Sequence, residues 1–74
     1  MTKQDKIQFL TDVEGYDSPE DMVSDYITES LVPAICVNED CDFTEFMEPD
    51  QNEGYCEHCE ENTVQSCMVL LGII

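Results

Sequence analysis

The sequence predicts a small α+β domain stapled by a metal: two short helices, two cysteine knuckles joined by a β-hairpin, and a C-terminal apolar segment that continues as a helix. Three observations predict it. The chain has 74 residues, too few to bury a sufficient apolar core without a disulfide, a metal or a partner. Four of its five cysteines fall into two pairs, Cys36 with Cys41 and Cys56 with Cys59. Two helix-start signals precede those pairs, and an alternating stretch lies between them.

Residues 1–33 read as a helical N-terminal part and residues 34–74 as the cysteine-rich part, within a single compact domain. Thr2 with Asp5 resembles a helix start, Ile7, Leu10 and Val13 follow at helical spacing, and Gly15 is a natural stop. The second start is stronger. Ser18 suits the cap, Pro19 the first helical position, and Glu20 and Asp21 face the positive end of the helix dipole. Met22, Val23, Tyr26, Ile27 and Leu31 then share one face, and Pro33 sets an expected end near Leu31.

Between the pairs, Phe43, Glu45 and Met47 alternate with Thr44, Phe46 and Glu48, as in a short strand, and Pro49, Asn52 and Gly54 mark a turn. A hairpin joining the two knuckles is the economical reading. Short apolar runs suit either a buried strand or a buried helix. In residues 62–74, a cap at Asn62 or Thr63 followed by Val64, Cys67, Met68 and Leu71 favours a helix.

The cysteine spacing carries the chemistry. Four residues separate Cys36 from Cys41, two separate Cys56 from Cys59, and fourteen separate the pairs. Zn2+ takes four ligands in a tetrahedron, with thiolates at about 2.3 Å, and two tight turns of two sulfurs each supply them with little strain. All four positions are filled by protein, so the site reads as structural and not catalytic. A rubredoxin-like iron site uses two short pairs, whereas the first pair here is longer. Two disulfides are the other alternative, and they suit an exported chain. No basic stretch precedes an apolar run at the N-terminus, and the longest apolar run, Met68 to Ile74, is too short to span a membrane. The expectation is a cytoplasmic protein with reduced thiols. His58, inside the second knuckle, reads as a partly exposed neighbour of the metal, and Cys67, among Met68, Val69 and Leu70, as a buried small hydrophobe.

The run from Leu31 to Ile74 resembles small acidic zinc-ribbon proteins of unassigned function encoded in phage and bacterial genomes. The likeness rests on Val32, Pro33, Ile35 and Cys36, on the turn Glu48, Pro49, Asp50 and Gln51, on Tyr55 before the second knuckle, and on Asn62, Thr63 and Val64 opening the tail. It implies a zinc ribbon with Cys36, Cys41, Cys56 and Cys59 as ligands and, for a phage protein, residence in the host cytoplasm. The chain departs from commoner ribbons at Glu60, where glycine often follows the second knuckle.

Charge then sorts the functional classes. Two basic residues, Lys3 and Lys6, stand against eighteen acidic ones, a formal net charge of −16. Many zinc ribbons bind nucleic acid, but phosphate neutralisation needs lysine or arginine, and none follows Lys6. The acids act either as a solvated surface or as a steering field for a basic partner. A basic protein that handles nucleic acid, such as a polymerase, is the partner such a surface fits, as a regulator or inhibitor occupying its groove. Candidate contacts are Tyr16, Phe46, Glu39, Asp40, Asp42, Glu45, Glu48 and Asp50. Phe43, Tyr26 and Tyr55 are expected in the core, with Tyr16 and Phe46 exposed. No phosphate loop, nucleophile elbow or open metal position supports catalysis. A redox or metal-handling role for Cys56 and Cys59 is the alternative, and a thioredoxin-like pair would require a βαβ context.

Overall fold

The computed structural model describes residues 1–74 as two helices, a four-stranded antiparallel sheet and a terminal helical turn. Helix α1 spans Lys3–Val13 and α2 spans Pro19–Tyr26. Strands β1 (Val32–Cys36), β2 (Thr44–Met47), β3 (Gly54–Cys56) and β4 (Glu61–Ser66) follow, and α3 spans Cys67–Leu70. The order across the sheet is β2-β1-β4-β3.

Both helix starts form where the local chemistry placed them. Thr2 accepts from the Asp5 amide while the Asp5 carboxylate accepts from the Thr2 amide, a reciprocal capping box that satisfies two donors at the helix start. Those same contacts hold the Asp5 carboxyl below its ordinary pKa, the Thr2 backbone bond being the largest cause. Gly15, at φ 82°, ends α1. Its amide donates to Asp12 and that of Tyr16 to Thr11, a Schellman closure that needs a left-handed residue at this position. Ser18 caps α2 through the Asp21 amide.

The end of α2 falls earlier than Pro33 implies. The helix stops at Tyr26, with Ile27 as its cap residue, and the Glu29 amide turns back to the Tyr26 carbonyl. Ile27 and Leu31, expected on the apolar face, are consequently exposed. Pro33 instead lies inside β1, opposite Phe46 and before the stretch paired with β4, so its missing N–H does not interrupt that ladder.

The strands pair differently from the expected hairpin between knuckles. β2 folds back on β1, with Val32 opposite Met47 and Ile35 opposite Thr44, while β3 pairs with β4. β2 and β3 therefore occupy opposite edges. Each hairpin carries one knuckle at its turn, and β1 against β4 joins the two. Residues 62–66, expected to begin the last helix, belong to β4, and the helical part is confined to Cys67–Leu70. Ser66 makes the switch. Its hydroxyl accepts from the Val69 amide and donates to the Pro49 carbonyl, while its amide donates to Gln51, so one residue caps α3 and pins the β2–β3 loop.

β1 is buried along its whole length because both of its sides are covered. Val32 and Ile35 join Ile7, Leu10, Met22, Cys67, Met68 and Leu70 in a core beneath the helices. Ala34 and Cys36 join Cys41, Met47, Cys56 and Val64 in a second core on the knuckle side. Gly54 permits the closure of this second core, since a Cβ there would run into the Met47 side chain and lie 3.2 Å from Val64 Cβ. No helix is long and apolar enough to cross a membrane.

Candidate metal centre

The two hairpin turns bring Cys36, Cys41, Cys56 and Cys59 together, with all four Sγ atoms within 4.8 Å of one another. Cys36 contributes from the end of β1 and Cys56 from the end of β3, while Cys41 and Cys59 lie in the turns that follow. Cys36 and Cys59 sulfurs are 4.0 Å apart, and those of Cys41 and Cys56 are 3.6 Å apart. A tetrahedron with metal–sulfur bonds of about 2.3 Å has edges of about 3.8 Å, so the spacing suits one ion held by four thiolates. A disulfide would require sulfurs about 2 Å apart, and all five cysteines are free.

The backbone supports the sulfurs. The Cys59 amide donates to Cys56 Sγ at 3.4 Å, and the Thr63 hydroxyl lies 3.1 Å from Cys36 Sγ. Burial pushes the Cys36 thiol up, but the Thr63 and Asn38 bonds, with those from Cys41 and Cys56, outweigh it and its pKa falls below that of an ordinary thiol. At Cys41 the Phe43 amide favours the thiolate, but burial and the three neighbouring sulfurs prevail, and the pKa is pushed up to about 12. Four thiols this close cannot all ionise unless a cation neutralises them. Metal uptake by such a cluster must release protons.

Glu60 answers the departure noted in the sequence. Its φ is 55°, the left-handed region that glycine favours, and its amide donates to the Cys56 carbonyl at 2.8 Å to close the second knuckle. The knuckle turn therefore forms in spite of a side chain that disfavours it. The first knuckle is held from outside. Lys6, fully buried in α1, donates through Nζ to the Cys41 carbonyl. One of the two lysines thus serves as an internal strut from α1 to the cysteine cluster, a role for which the sequence gives a single clue: Lys6 falls beside Ile7 on the buried face of an otherwise acidic chain.

Cys67 stands apart, buried in the helix-side core, where burial raises its thiol to about 11. His58 is exposed, its ring edge-to-face with Phe43 at 5.0 Å. Cys36, Cys41 and Cys56 are buried, whereas Cys59 is half-exposed at an open depression of about 560 Å³ lined by Glu39, Asp40, Asp42, His58 and Glu61. The knuckle of Cys56 and Cys59 connects two antiparallel strands, which is not the βαβ setting of a thioredoxin-like pair.

The residues expected at a partner surface divide into groups. Glu39, Asp40 and Asp42 gather at the depression beside the cysteines. Tyr16 and Phe46 are linked through Tyr26, with ring centroids 6.2 Å and 5.7 Å apart. Glu45 faces away from Phe46 on β2 and is half-buried, and Glu48 and Asp50 lie exposed where β2 leads into its loop. Tyr26 and Phe43 are half-buried, and so is Tyr16, whose expected exposure is corrected by the packing of its ring against the helix-side core. Tyr55 corrects its expectation of core burial: Gly54 and Cys56 take the inward positions of three-residue β3, which leaves Tyr55 pointing out and 51% exposed.

The site is a four-cysteine cluster capable of holding a metal ion in a small α+β domain of ribbon-like architecture. No protein-family model, curated protein or solved structure matches the chain, so the sequence resemblance rests on its own residues.

Proposed function

We propose that the chain is a zinc-stabilised, non-catalytic interaction module whose acidic surface binds a basic protein, of the kind that handles nucleic acid, as a regulator or inhibitor. The carrying observation is a sulfur tetrad complete in itself on a surface of net charge −16. Four thiolates suit Zn2+, which has no redox chemistry, and they leave no position for a reacting water. The bound ion would supply cross-linking of the two hairpins. Such a surface repels phosphate backbones and steers cationic proteins toward it. The resemblance to phage and bacterial zinc ribbons and the expectation of a cytoplasmic setting are compatible with this role.

Native mass spectrometry followed by capture on zinc-loaded protein tests the reading. One zinc per chain, four thiols protected from alkylation, and retention of basic nucleic-acid enzymes that elute as salt rises are the expected results. Retention equal on the metal-free chain, or binding of duplex DNA in preference to basic protein, would defeat it. Metal handling is a second reading, favoured by the half-exposed Cys59 at its acid-lined depression. Zinc exchange with a competing chelator within seconds would support that alternative.

A further inference from the structure

Three aromatic rings from separate elements form one continuous face. Tyr16 lies in the α1–α2 turn, Tyr26 ends α2 and Phe46 sits within edge strand β2. The rings meet edge-to-face, at interplanar angles of 76° and 65°. Tyr16 and Tyr26 rest against the helix-side core, whereas Phe46 belongs to neither core and is 48% exposed. Ile27, next to Tyr26, is 58% exposed. The outer edge of β2 is unpaired, because β2 has β1 as its single neighbour.

The charge around these rings is of one sign. Asp25, next to Tyr26 in sequence, raises the pKa of the Tyr16 hydroxyl chiefly as a hydrogen-bonding neighbour, with burial adding to the effect. Asp17 adjoins Tyr16 in sequence, and Glu48 follows Phe46 by two residues. The cations of the chain lie elsewhere. Lys6 is buried beneath the first knuckle, Lys3 lines a cavity with Val37 and Leu70, and the terminal ammonium donates to the Glu39 carbonyl. The electron-rich ring faces and their carboxylate border therefore have no cation of their own.

A guanidinium group matches that combination better than an ammonium. It is planar and weakly hydrated, stacks on aromatic faces and pairs with carboxylates through a fork of donors, whereas lysine presents a strongly hydrated point charge. An extended segment could also add its backbone to the free edge of β2. We infer that the Tyr16–Tyr26–Phe46 face docks an extended, arginine-rich segment of a partner protein, laid along β2 with guanidinium groups on the rings and paired to Asp25. This rests on the interaction-module reading and gives it a location and a residue preference.

The test is titration of isotope-labelled, zinc-loaded chain with two synthetic peptides of equal length and charge, alternating serine with arginine or with lysine. The arginine peptide is expected to bind about fivefold more tightly, the scale of a cation–π contact at an exposed site, with saturable shifts centred on Tyr16, Tyr26, Phe46 and the β2 amides. Phe46→Ala should abolish that preference while keeping zinc stoichiometry and a cooperative unfolding transition, since Phe46 lies outside both cores. Equal affinity for both peptides, with shifts spread around Glu39, Asp40 and Asp42, would overturn the assigned face and leave the interaction module standing. Binding by neither peptide, with no basic protein retained in capture, would remove both.

Discussion

Strand β1 divides two cores of different chemistry. On the helix side, eight buried residues are almost wholly hydrocarbon, with Ile7, Leu10, Met22, Val32, Ile35, Met68 and Leu70 around Cys67. On the knuckle side, three of the six buried residues are cysteines whose sulfurs gather at one point. The helix side is held by removal of apolar surface from water. The knuckle side has too little hydrocarbon for that and depends on what neutralises its sulfurs. The same residue type thus has opposite meanings on the two sides of one strand: Cys67 fills space, and Cys41 belongs to a binding site.

The largest expected effect breaks the knuckle side. Cys41→Ser removes one of the four proposed zinc ligands, and a structural zinc contributes an apparent ~10 kcal/mol or more, above the stability of about 5 kcal/mol usual for so small a domain. The variant should lose its cooperative urea transition by circular dichroism. Cys67→Ser, which buries a hydroxyl in the helix-side core, should cost about 1–3 kcal/mol and keep a transition. Equal damage from both would mean that the two cores are not chemically distinct.

Next comes the strut between them. Lys6→Met keeps most of the buried stem but leaves the Cys41 carbonyl without its charged donor, a loss of about 1.5–3 kcal/mol. Zinc stoichiometry should be retained and amide exchange in residues 37–42 should quicken. Unchanged exchange there would show that α1 does not brace the first knuckle.

A smaller effect, of the opposite sign, is expected at Glu60. Glycine at φ 55° relieves left-handed strain of about 1–2 kcal/mol but adds freedom to the unfolded chain, for a net gain of about 0.5–1 kcal/mol in Glu60→Gly. A lower thermal midpoint would show that the glutamate side chain contributes more than its backbone loses.

The smallest effect depends on pH. Burial first, and the Glu57 charge second, raise the Glu45 carboxyl above 4.5. The folded state then holds this proton more tightly than the unfolded chain. Glu45 therefore favours folding below its ordinary pKa, and that contribution is lost as pH rises through the folded value. Glu45→Gln should raise the denaturation midpoint at neutral pH, and the advantage should vanish as pH falls below about 4.5. An advantage independent of pH would point to packing.

What was legible in the sequence was local. The Thr2 and Ser18 caps, the stop at Gly15 and the two cysteine turns depend on residues within a few positions of one another, and each forms. Strand pairing depends on partners far along the chain. The alternation of Thr44–Met47 identified a strand but not that β1 is its partner, and the wholly apolar run at 32–36 has no alternation because both of its sides are covered. Residues 62–66 carried helical spacing that fitted by coincidence until Ser66, where the true cap lies. The sulfur cluster was readable because ligand spacing is local chemistry. The aromatic face was not, since Tyr26 and Phe46 are brought together only by the fold.

Burying Lys6 also shapes how the molecule presents itself to amine- and lysine-directed chemistry. With that ammonium engaged on the Cys41 carbonyl, Lys3 is the accessible lysine for acylation or cross-linking. Trypsin has no cleavage site between residues 7 and 74, so this stretch stays in one piece in a tryptic digest, folded or not. A protease that cuts at acidic residues, or limited hydrogen exchange, is the means of mapping this chain.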